Sequence, residues 1–380
     1  MQYLRNIAQI RLLSVTLRKN DKMKFMTLLF IVASMILNSA CTDNKNLNND
    51  ITHNEIKITN VTDTLKFKSG IHSILQDSKG NYWFGSDQEG VGKYDGETFT
   101  YYTTENGFCG KQVIYIKEDE TGLIWFGTSS GLCCFDGNKF TAESNSSSMN
   151  ILGNEHQAAS SINRTDLWFP GKNKNELIRI DNGIIYTIKY PIQISTKGNS
   201  VDYGITGFSK SKNGGLWIAH YSGVSYYDGK SIQFINDSTI HYDGKSKYMH
   251  VRSILEDSKG RLWIGNNGIG VQLKEKDSII HFSEKHNLFK GEIFRVKSPE
   301  GTLMHVFAIK EDSKGNIWFG DRDTGAWRFD GKEIKNFKLD SNLNTQHIWD
   351  ISEDKSANLL FASGDRGVYK FNGNGFDRVF

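Results

Sequence analysis

Three histidines recur at one position of a repeated pattern and have the chemistry to bind a ligand. His250, His305 and His347 each lie seven residues before a recurring aspartate. Arg252 and Trp349 lie two residues further along two of these segments. Imidazoles brought together around one opening can bind a metal ion or an anionic group. We expect ligand contacts here rather than a metal centre; the alternative is that each histidine hydrogen-bonds its local backbone.

A second group of candidate side chains follows the second predicted strand of three repeats. It consists of His220, Tyr221, Asp321, Arg322 and Arg366. Mixed charge with an aromatic ring on variable loops suits a polar ligand such as an oligosaccharide or a peptide, and the alternative is a solvated loop. The sequence contains neither an H-E-x-x-H motif nor a phosphate-binding loop motif. We therefore expect no cofactor and no catalytic residue.

A ten-residue motif recurs along the chain and must position these candidates. It reads QDSKGNYWFG at 76–85, EDETGLIWFG at 118–127, EDSKGRLWIG at 256–265 and EDSKGNIWFG at 311–320. The tryptophan recurs at intervals of 42 to 55 residues, as Trp83, Trp125, Trp168, Trp217, Trp263 and Trp318, and Leu360 takes its place in the last copy. Seven copies of about 44 residues match the length of a four-stranded propeller blade.

Each copy predicts four short strands joined by tight turns. Asp-Ser-Lys-Gly between the first two strands is typical of a type I turn, and Asp-Gly between the last two is typical of a tight hairpin. We predict that the aspartates form turns and that the tryptophans pack between blades. The predicted fold class is all-β, a seven-bladed β-propeller of four-stranded antiparallel blades at about 71–102, 112–143, 156–190, 204–236, 250–283, 305–338 and 347–380.

The N-terminal part of the chain has the pattern of an export signal. The apolar run from Phe25 to Leu37 is too short to span a bilayer and suits a signal peptide. We expect residues 1–40 to be this signal, with Met23 as the expected true start. Cys41 after small residues resembles the lipidation site of a bacterial lipoprotein, and 41–54 would then be the lipidated cysteine and a polar tether. The alternative is a plain secretory signal with an incidental cysteine.

Charge, cysteines and the segment before the repeats give three further expectations. The net charge of +3 and the absence of a basic stripe argue against nucleic-acid binding. Cys109, Cys133 and Cys134 form neither a disulfide framework nor a zinc pattern, so we expect buried thiols, with a bridge from Cys109 to either neighbour as the alternative. Residues 55–67 are expected to pair with the last blade, because an open edge strand invites aggregation.

The repeated pattern, V-x-x-I-x-E-D followed by S-x-G-x-x-W-F-G and G-x-x-x-Y-D-G, resembles the two-component regulator propeller repeat. Blades one, two, five and six match closely, whereas 162–183 and 209–220 lack the full turn motif. The resemblance implies an extracytoplasmic sensor that recognises cues such as glycan fragments. Sensors of this family continue into a membrane span and a kinase, whereas this chain stops at Phe380, so we expect no phosphotransfer.

Three functions remain open at this point. The preferred interpretation is a non-enzymatic recognition module of the cell envelope whose loop face binds an oligosaccharide or an envelope protein. It would be held at the outer membrane, facing the periplasm or the surface, through a lipid anchor only. The alternatives are a propeller enzyme resembling streptogramin lyase and a structural scaffold of an outer-membrane assembly.

Overall fold

A computed structural model describes residues 61–62, 64–142, 147–150, 162–163, 165–173, 176–181, 183–189, 204–236, 249–291, 296–343, 345–365 and 367–380. The predicted signal peptide, Cys41 and the tether lie outside these residues. The strands of the described part form seven sheets, which we number as blades in chain order. The chain is therefore an all-β, seven-bladed propeller, as the repeats predicted.

Blade 1 contains β1 (Val61–Thr62), β2 (Ile71–Gln76), β3 (Tyr82–Ser86), β4 (Val91–Tyr94) and β5 (Phe99–Tyr102). Blade 2 contains β6 (Val113–Glu118), β7 (Ile124–Thr128), β8 (Gly131–Phe135) and β9 (Phe140–Ala142). Blade 3 contains β10 (Ser147–Asn150), β11 (Leu167–Pro170), β12 (Glu176–Asp181) and β13 (Ile184–Lys189). Blade 4 contains β14 (Ile205–Lys210), β15 (Leu216–His220), β16 (Gly223–Tyr227) and β17 (Ile232–Ile235).

Blade 5 contains β18 (Val251–Glu256), β19 (Leu262–Asn266), β20 (Val271–Glu275) and β21 (Ser278–His281). Blade 6 contains β22 (Val306–Glu311), β23 (Ile317–Asp321), β24 (Gly325–Phe329) and β25 (Ile334–Phe337). Blade 7 contains β26 (Ile348–Glu353), β27 (Leu359–Ser363), β28 (Val368–Phe371) and β29 (Phe376–Arg378). Helix is confined to a 3₁₀ turn at Thr104–Asn106 and to α1 (Phe282–Lys285) within the described residues.

The strands pair antiparallel in chain order in every blade except blades 1 and 3; in blade 1, β1 is added antiparallel to β5 at the outer edge. In blade 3, β10 pairs parallel with β13, on the outer side of the antiparallel strands β11 to β13. This differs from the prediction of seven wholly antiparallel blades. Residues 156–161, where the first strand of blade 3 was predicted, lie outside the described residues. In the other blades the first strand packs against the first strand of a neighbouring blade, so these strands surround the channel.

The turn aspartates hold the tryptophans, which explains why the two residues recur together. The Asp77 carboxylate accepts hydrogen bonds from Lys79 N, Asn81 N and Trp83 Nε1, the last at 2.8 Å. The same aspartate–indole bond occurs in blades 2, 5 and 6, from Trp125, Trp263 and Trp318 to Asp119, Asp257 and Asp312. The turn aspartates are therefore structural, as predicted, and the indoles are buried between blades.

Blades 4 and 7 each lack one member of the aspartate–tryptophan pair, and in each the remaining member forms a different hydrogen bond. In blade 4, which has no turn aspartate, Trp217 Nε1 donates instead to Glu256 Oε2 of blade 5 at 2.6 Å. In blade 7, where Leu360 replaces tryptophan, Asp354 Oδ2 accepts from the Tyr82 hydroxyl of blade 1 at 2.9 Å. Both departures from the motif thus gain a hydrogen bond that joins neighbouring blades.

The residue before each turn aspartate also joins blades. Glu118 accepts from Ser78 N of the preceding blade at 2.6 Å, and Glu311 accepts from Ser258 N at 2.6 Å. The series ends where Gln76 of blade 1 accepts from Lys355 N of blade 7 at 2.8 Å. The repeated Glu-Asp pair therefore encodes one contact within a blade and one contact with its neighbour.

The predicted pairing of residues 55–67 with the last blade is wrong for the part that the structure describes. β1 pairs antiparallel with β5 of blade 1. Blade 7 already has β29 as its outer strand, whereas the backbone after β1 is held on blade 1 by the Tyr101 hydroxyl. Blades 1 and 7 are joined instead by the bond from Ile74 N to Asp350 Oδ2 at 2.9 Å and by the Phe380 ring, 4.8 Å from that of Phe84.

The cysteine prediction also needs correction. The structure joins Cys109 and Cys133 as a disulfide, with Cα atoms 6.5 Å apart, whereas we had favoured buried thiols. Cys109 follows the 3₁₀ turn and packs against the same apolar cluster as Cys133 on β8. Cys134 is the next residue on β8 and is buried. The bridge therefore uses the cysteine whose side chain points to the loop before β6, since neighbouring strand residues point to opposite faces.

None of the helices in the described part of the chain has the length and apolar character needed to cross a bilayer.

Candidate ligand-binding site at the channel mouth

The first strand carries a β-bulge at the same position in six blades. In β2 the register with β3 shifts between Ile71 and Ser73, so that His72 is the bulged residue. The equivalent bulged residues are Ile114, Thr206, Arg252, Phe307 and Trp349. A bulge re-aims a side chain relative to the regular strand. All six bulged residues line one cavity of about 930 Å³.

Trp349 is the centre of a stack on one side of this cavity. Its ring lies between those of His72 and His347, with centroids 4.0 Å apart in both pairs. Phe307 meets Trp349 edge to face at 5.3 Å. Aromatic pairs in these geometries attract each other beyond their buried area. The stack therefore holds side chains of blades 6, 7 and 1 in one arrangement.

Arg252 continues the arrangement toward blade 4. Its guanidinium lies 4.8 Å from the ring centroids of both Phe307 and Tyr221. Its Nη1 donates to the Tyr221 hydroxyl at 3.2 Å, and the Tyr221 ring contacts that of His250 at 4.8 Å. We call the seven residues of this continuous series the mouth arc: His72, Tyr221, His250, Arg252, Phe307, His347 and Trp349.

The end of the mouth arc at blade 1 is polar. His72 Nε2 lies 3.0 Å from Asp87 Oδ1, and Gln112 Nε2 donates to the same oxygen at 2.7 Å. Burial lowers the pKa of His72, and the nearby Asp87 carboxylate opposes this effect. Asp87, Gln112 and His72 all line the cavity. This end therefore offers a carboxylate and an amide beside an imidazole.

Ionisable groups also lie deeper in the channel. Lys117 Nζ donates to Trp168 O at 2.6 Å, and burial lowers the pKa of its ammonium to about 7. Burial raises the pKa of Asp350, which accepts a hydrogen bond from Ile74 N. Lys310 favours the charged form of the Asp350 carboxylate. Lys117, Lys310 and Asp350 line the same cavity as the mouth arc.

His305 does not join the other two histidines of the predicted row. It is fully buried, with Nδ1 2.7 Å from Asn267 Oδ1 and Nε2 3.0 Å from Val296 O. Burial lowers the pKa of His305 to about 4 and that of His347 to about 3. The described residues contain no cluster of three or more side chains placed to hold a metal ion. The row thus divides into one histidine within the wall and two, His250 and His347, that join the mouth arc through ring contacts but do not line the cavity.

Asp321 and Arg322 lie outside the cavity. Asp321 is fully buried and accepts hydrogen bonds from four backbone N–H groups, those of Met304, His305, Asp323 and Thr324. Burial raises the pKa of this carboxyl to about 6. Arg322 pairs with Asp323 at 2.9 Å and lines a separate pocket of about 420 Å³. These two residues therefore shape the loops of blade 6 and do not reach the mouth arc.

His220 is buried at the end of β15, and Arg366 lies outside the described residues. His220 Nδ1 lies 3.1 Å from Ser222 Oγ, its ring contacts Phe234, and it does not line the cavity. Tyr221, the next residue, is the member of this pair that lies in the mouth arc. His72, Asp87 and Gln112 were not predicted from the sequence, although His72 occupies the same repeat position as Arg252 and Trp349.

The buried His220 predicts a specific pH dependence of stability. Burial alone lowers its pKa to about 4, so the unfolded chain takes up a proton near pH 6.5 whereas the folded chain does so only near pH 4. Below pH 6.5 this costs about 1.4 kcal/mol of stability per pH unit. We expect His220→Gln to lose about 2 kcal/mol less than the wild type between pH 6.5 and pH 4.5 in urea unfolding. If wild type and His220→Gln lose the same unfolding free energy, each relative to its own value at pH 7.5, His220 does not cause the pH dependence.

The comparison with family sequence profiles identifies the repeat. The profile described as two component regulator propeller matches residues 67–88, 246–268 and 301–323. The chain carries two component regulator propeller repeats. Each match includes a bulged first strand and the tryptophan strand after it, so the bulge position belongs to the repeat itself.

Solved structures show the same propeller fold at low identity. The extracellular domain of the putative one component system BT4673 from B. thetaiotaomicron is 19% identical with a TM-score of 0.53, over 79% of this chain and 38% of that chain. Virginiamycin B lyase from Staphylococcus aureus is 14% identical with a TM-score of 0.55, over 82% and 97%. PorZ, a surface component of the type-IX secretion system of Porphyromonas gingivalis, is 17% identical with a TM-score of 0.51, over 80% and 46%.

These similarities show the fold and nothing finer. This chain spans 38% of the length of the BT4673 domain that it matches. Comparison with curated proteins gives no match. The function must therefore be argued from the mouth arc.

Proposed function

We propose that this propeller is a non-enzymatic recognition module that binds an oligosaccharide at the mouth arc. The observation that carries the proposal is the arc itself, in which side chains from blades 1, 4, 5, 6 and 7 line one cavity. Ligand sites in proteins are typically concave, lined by apolar and aromatic groups, with a few placed polar groups. The mouth arc and its neighbours Asp87 and Gln112 match this description.

A saccharide suits this lining because its surface is both apolar and polar. The C–H faces of a sugar ring pack against aromatic rings, which are present here as Phe307, Trp349 and Tyr221. Sugar hydroxyls both donate and accept hydrogen bonds, and Asp87 and Gln112 supply an acceptor and a donor at the cavity wall. A cavity of about 930 Å³ has room for more than one sugar ring. An envelope protein that inserts a loop is the second partner considered.

A panel of neutral and acidic oligosaccharides, titrated against the purified protein by calorimetry, tests the proposal. We expect saturable binding of at least one oligosaccharide. If no oligosaccharide of the panel binds, and an envelope protein binds whose affinity saccharides do not change, the scaffold alternative replaces this proposal. The similarity in fold to PorZ is compatible with that alternative.

Catalysis is the second candidate function, and one observation favours it. The His72–Asp87 pair, with Nε2 3.0 Å from Oδ1, lines the cavity and brings together an imidazole and a carboxylate, the two groups that a general base of this kind needs. The G-T-S-S-G stretch at 127–131, which matches a nucleophile motif, joins two strands of a hairpin instead of a strand and a helix, so it lacks the context of that motif. Mass spectrometry of a bound saccharide after incubation decides the question, because a cleaved product would establish an enzyme.

We also propose that the protein is exported and anchored through Cys41. The supporting observations are the sequence pattern before Cys41 and the propeller fold shared with an extracellular domain of B. thetaiotaomicron. Two or more acyl chains hold a protein firmly on a membrane, whereas one chain holds it marginally. We expect Cys41→Ser to move the protein from the membrane fraction to the soluble fraction. Retention of the variant in membranes would contradict the lipid anchor.

A further inference from the structure

Arg252 differs from three other arginines of the described chain in having no acidic partner. Arg179 pairs with Asp166 and Asp181, Arg261 with Asp257, and Arg322 with Asp323. For Arg252 the described residues provide the Tyr221 hydroxyl at Nη1 and two aromatic rings, but no carboxylate within ion-pair distance. Its Nε is buried and has no hydrogen-bond partner in the described part of the chain. A partly buried guanidinium left in this state carries a desolvation cost that a ligand of opposite charge would offset.

The rest of the cavity wall does not neutralise this charge. Its two carboxylates, Asp87 and Asp350, are engaged by His72 and Gln112 and by Ile74 N, respectively. Three lysines, Lys117, Lys172 and Lys310, lie on the same wall. With Arg252, the wall carries four basic side chains against two carboxylates, and an excess of one sign of charge in a cleft concentrates ligands of the opposite sign. The wall therefore favours a ligand that brings negative charge.

We propose that Arg252 anchors an oxyanion of the ligand, a carboxylate, sulfate or phosphate group, in the cavity beside the mouth arc. The two rings at 4.8 Å fix the plane of the guanidinium, and Nη2, which no described residue engages, supplies donors for a charge-assisted bond. A planar guanidinium with fixed orientation is suited to bidentate recognition of such a group. The inference rests on the proposed function and names the ligand class of the same site, an acidic saccharide.

The same oxyanion chemistry could come from an acidic sugar or from a free inorganic anion. Galacturonate and galactose distinguish these sources when used as a pair, because they differ by one carboxylate. Sodium sulfate serves as the inorganic probe. If sulfate competes with galacturonate, the two anions share one site. If sulfate binds and galacturonate does not, the site belongs to the inorganic anion, and the proposed acidic saccharide is wrong.

The test compares the full-length wild type with Arg252→Gln, Arg252→Lys and a charge-matched control, Lys332→Gln. Lys332 is exposed in the hairpin between β24 and β25, away from the cavity, so its loss changes net charge alone. We expect galacturonate to bind the wild type and the control at least about tenfold more tightly than galactose, since a hydrogen bond to a charged group contributes this much. Arg252→Gln should abolish the difference, and Arg252→Lys should retain part of it.

Equal binding of the two sugars by the wild type, or an unchanged preference in Arg252→Gln, would overturn the inference. So would the failure of both anions to bind. Competition between sulfate and galacturonate on the wild type keeps the test decisive if Arg252→Gln does not fold. The proposed function fails separately, when no oligosaccharide of the panel binds; neutral saccharides that bind without a charge preference would leave it intact while removing the oxyanion site.

Discussion

Replacing Asp257 with alanine should lower the free energy of unfolding by about 3 to 5 kcal/mol, the cost of removing one partner of a buried charged pair. Asp257 is fully buried and accepts hydrogen bonds from Trp263 Nε1, Lys259 N, Arg261 N and Arg261 Nε. The alanine variant leaves these donors without an acceptor inside the protein. Urea unfolding followed by tryptophan fluorescence measures the change.

The matched control is Asp228→Ala, in the hairpin between β16 and β17. Asp228 is exposed, and its carboxylate accepts from Lys230 N, Ser231 N and Ser231 Oγ in the same turn. Water can replace these bonds, so we expect a loss of about 1 kcal/mol. Equal losses of unfolding free energy in the two variants would show that the turn between β18 and β19 has no special role in holding Trp263.

Trp349→Ala should weaken binding of the tightest oligosaccharide of the panel by about 30-fold, since removal of a central tryptophan typically costs about 2 kcal/mol of binding energy. Trp349 lines the cavity and separates His72 from His347 at 4.0 Å on each side. Its removal deletes ligand contacts and also releases the two imidazoles that it holds. Calorimetric titration of the variant measures the loss.

Phe289→Ala is the control for the removal of an aromatic ring. Phe289 contacts His281 in the loop after α1 and does not line the cavity. We expect the affinity of Phe289→Ala for the same oligosaccharide to equal that of the wild type. Full affinity in Trp349→Ala, or an equal loss in both variants, would place the site outside the mouth arc.

The fold could be predicted because the same local chemistry recurs along the chain. In blades 1, 2, 5 and 6 an aspartate at the start of a turn and a tryptophan six residues later form a hydrogen bond within the repeat, as Asp77 and Trp83 do. Hairpin turns need only short-range signals, and these were readable. The parallel pairing of β10 was not predictable in this way, since it depends on an outer edge that one atypical blade leaves open.

The site was predicted only in part, because its geometry depends on a backbone irregularity. The β-bulge that turns His72 into the cavity cannot be read from strand periodicity, and only the recurrence of its position in six repeats marks it. His305 has the same position in its repeat as His347, yet Asn267 and the loop carbonyl of Val296 hold it inside the wall. Loops of unequal length decide such differences, and their conformations follow from tertiary contacts. Arg252 and Trp349 were found because their types stood out beside the histidines.

Hydroxyl-radical footprinting of the complex with the tightest oligosaccharide tests the central claim most directly, because oxidation of aromatic side chains reports their exposure one residue at a time. The account predicts that the ligand protects Tyr221, Phe307 and Trp349, whereas Phe289 outside the cavity keeps the same oxidation rate. Unchanged rates at the three cavity residues, with protection confined to loop residues such as Phe289, would contradict recognition at the mouth arc.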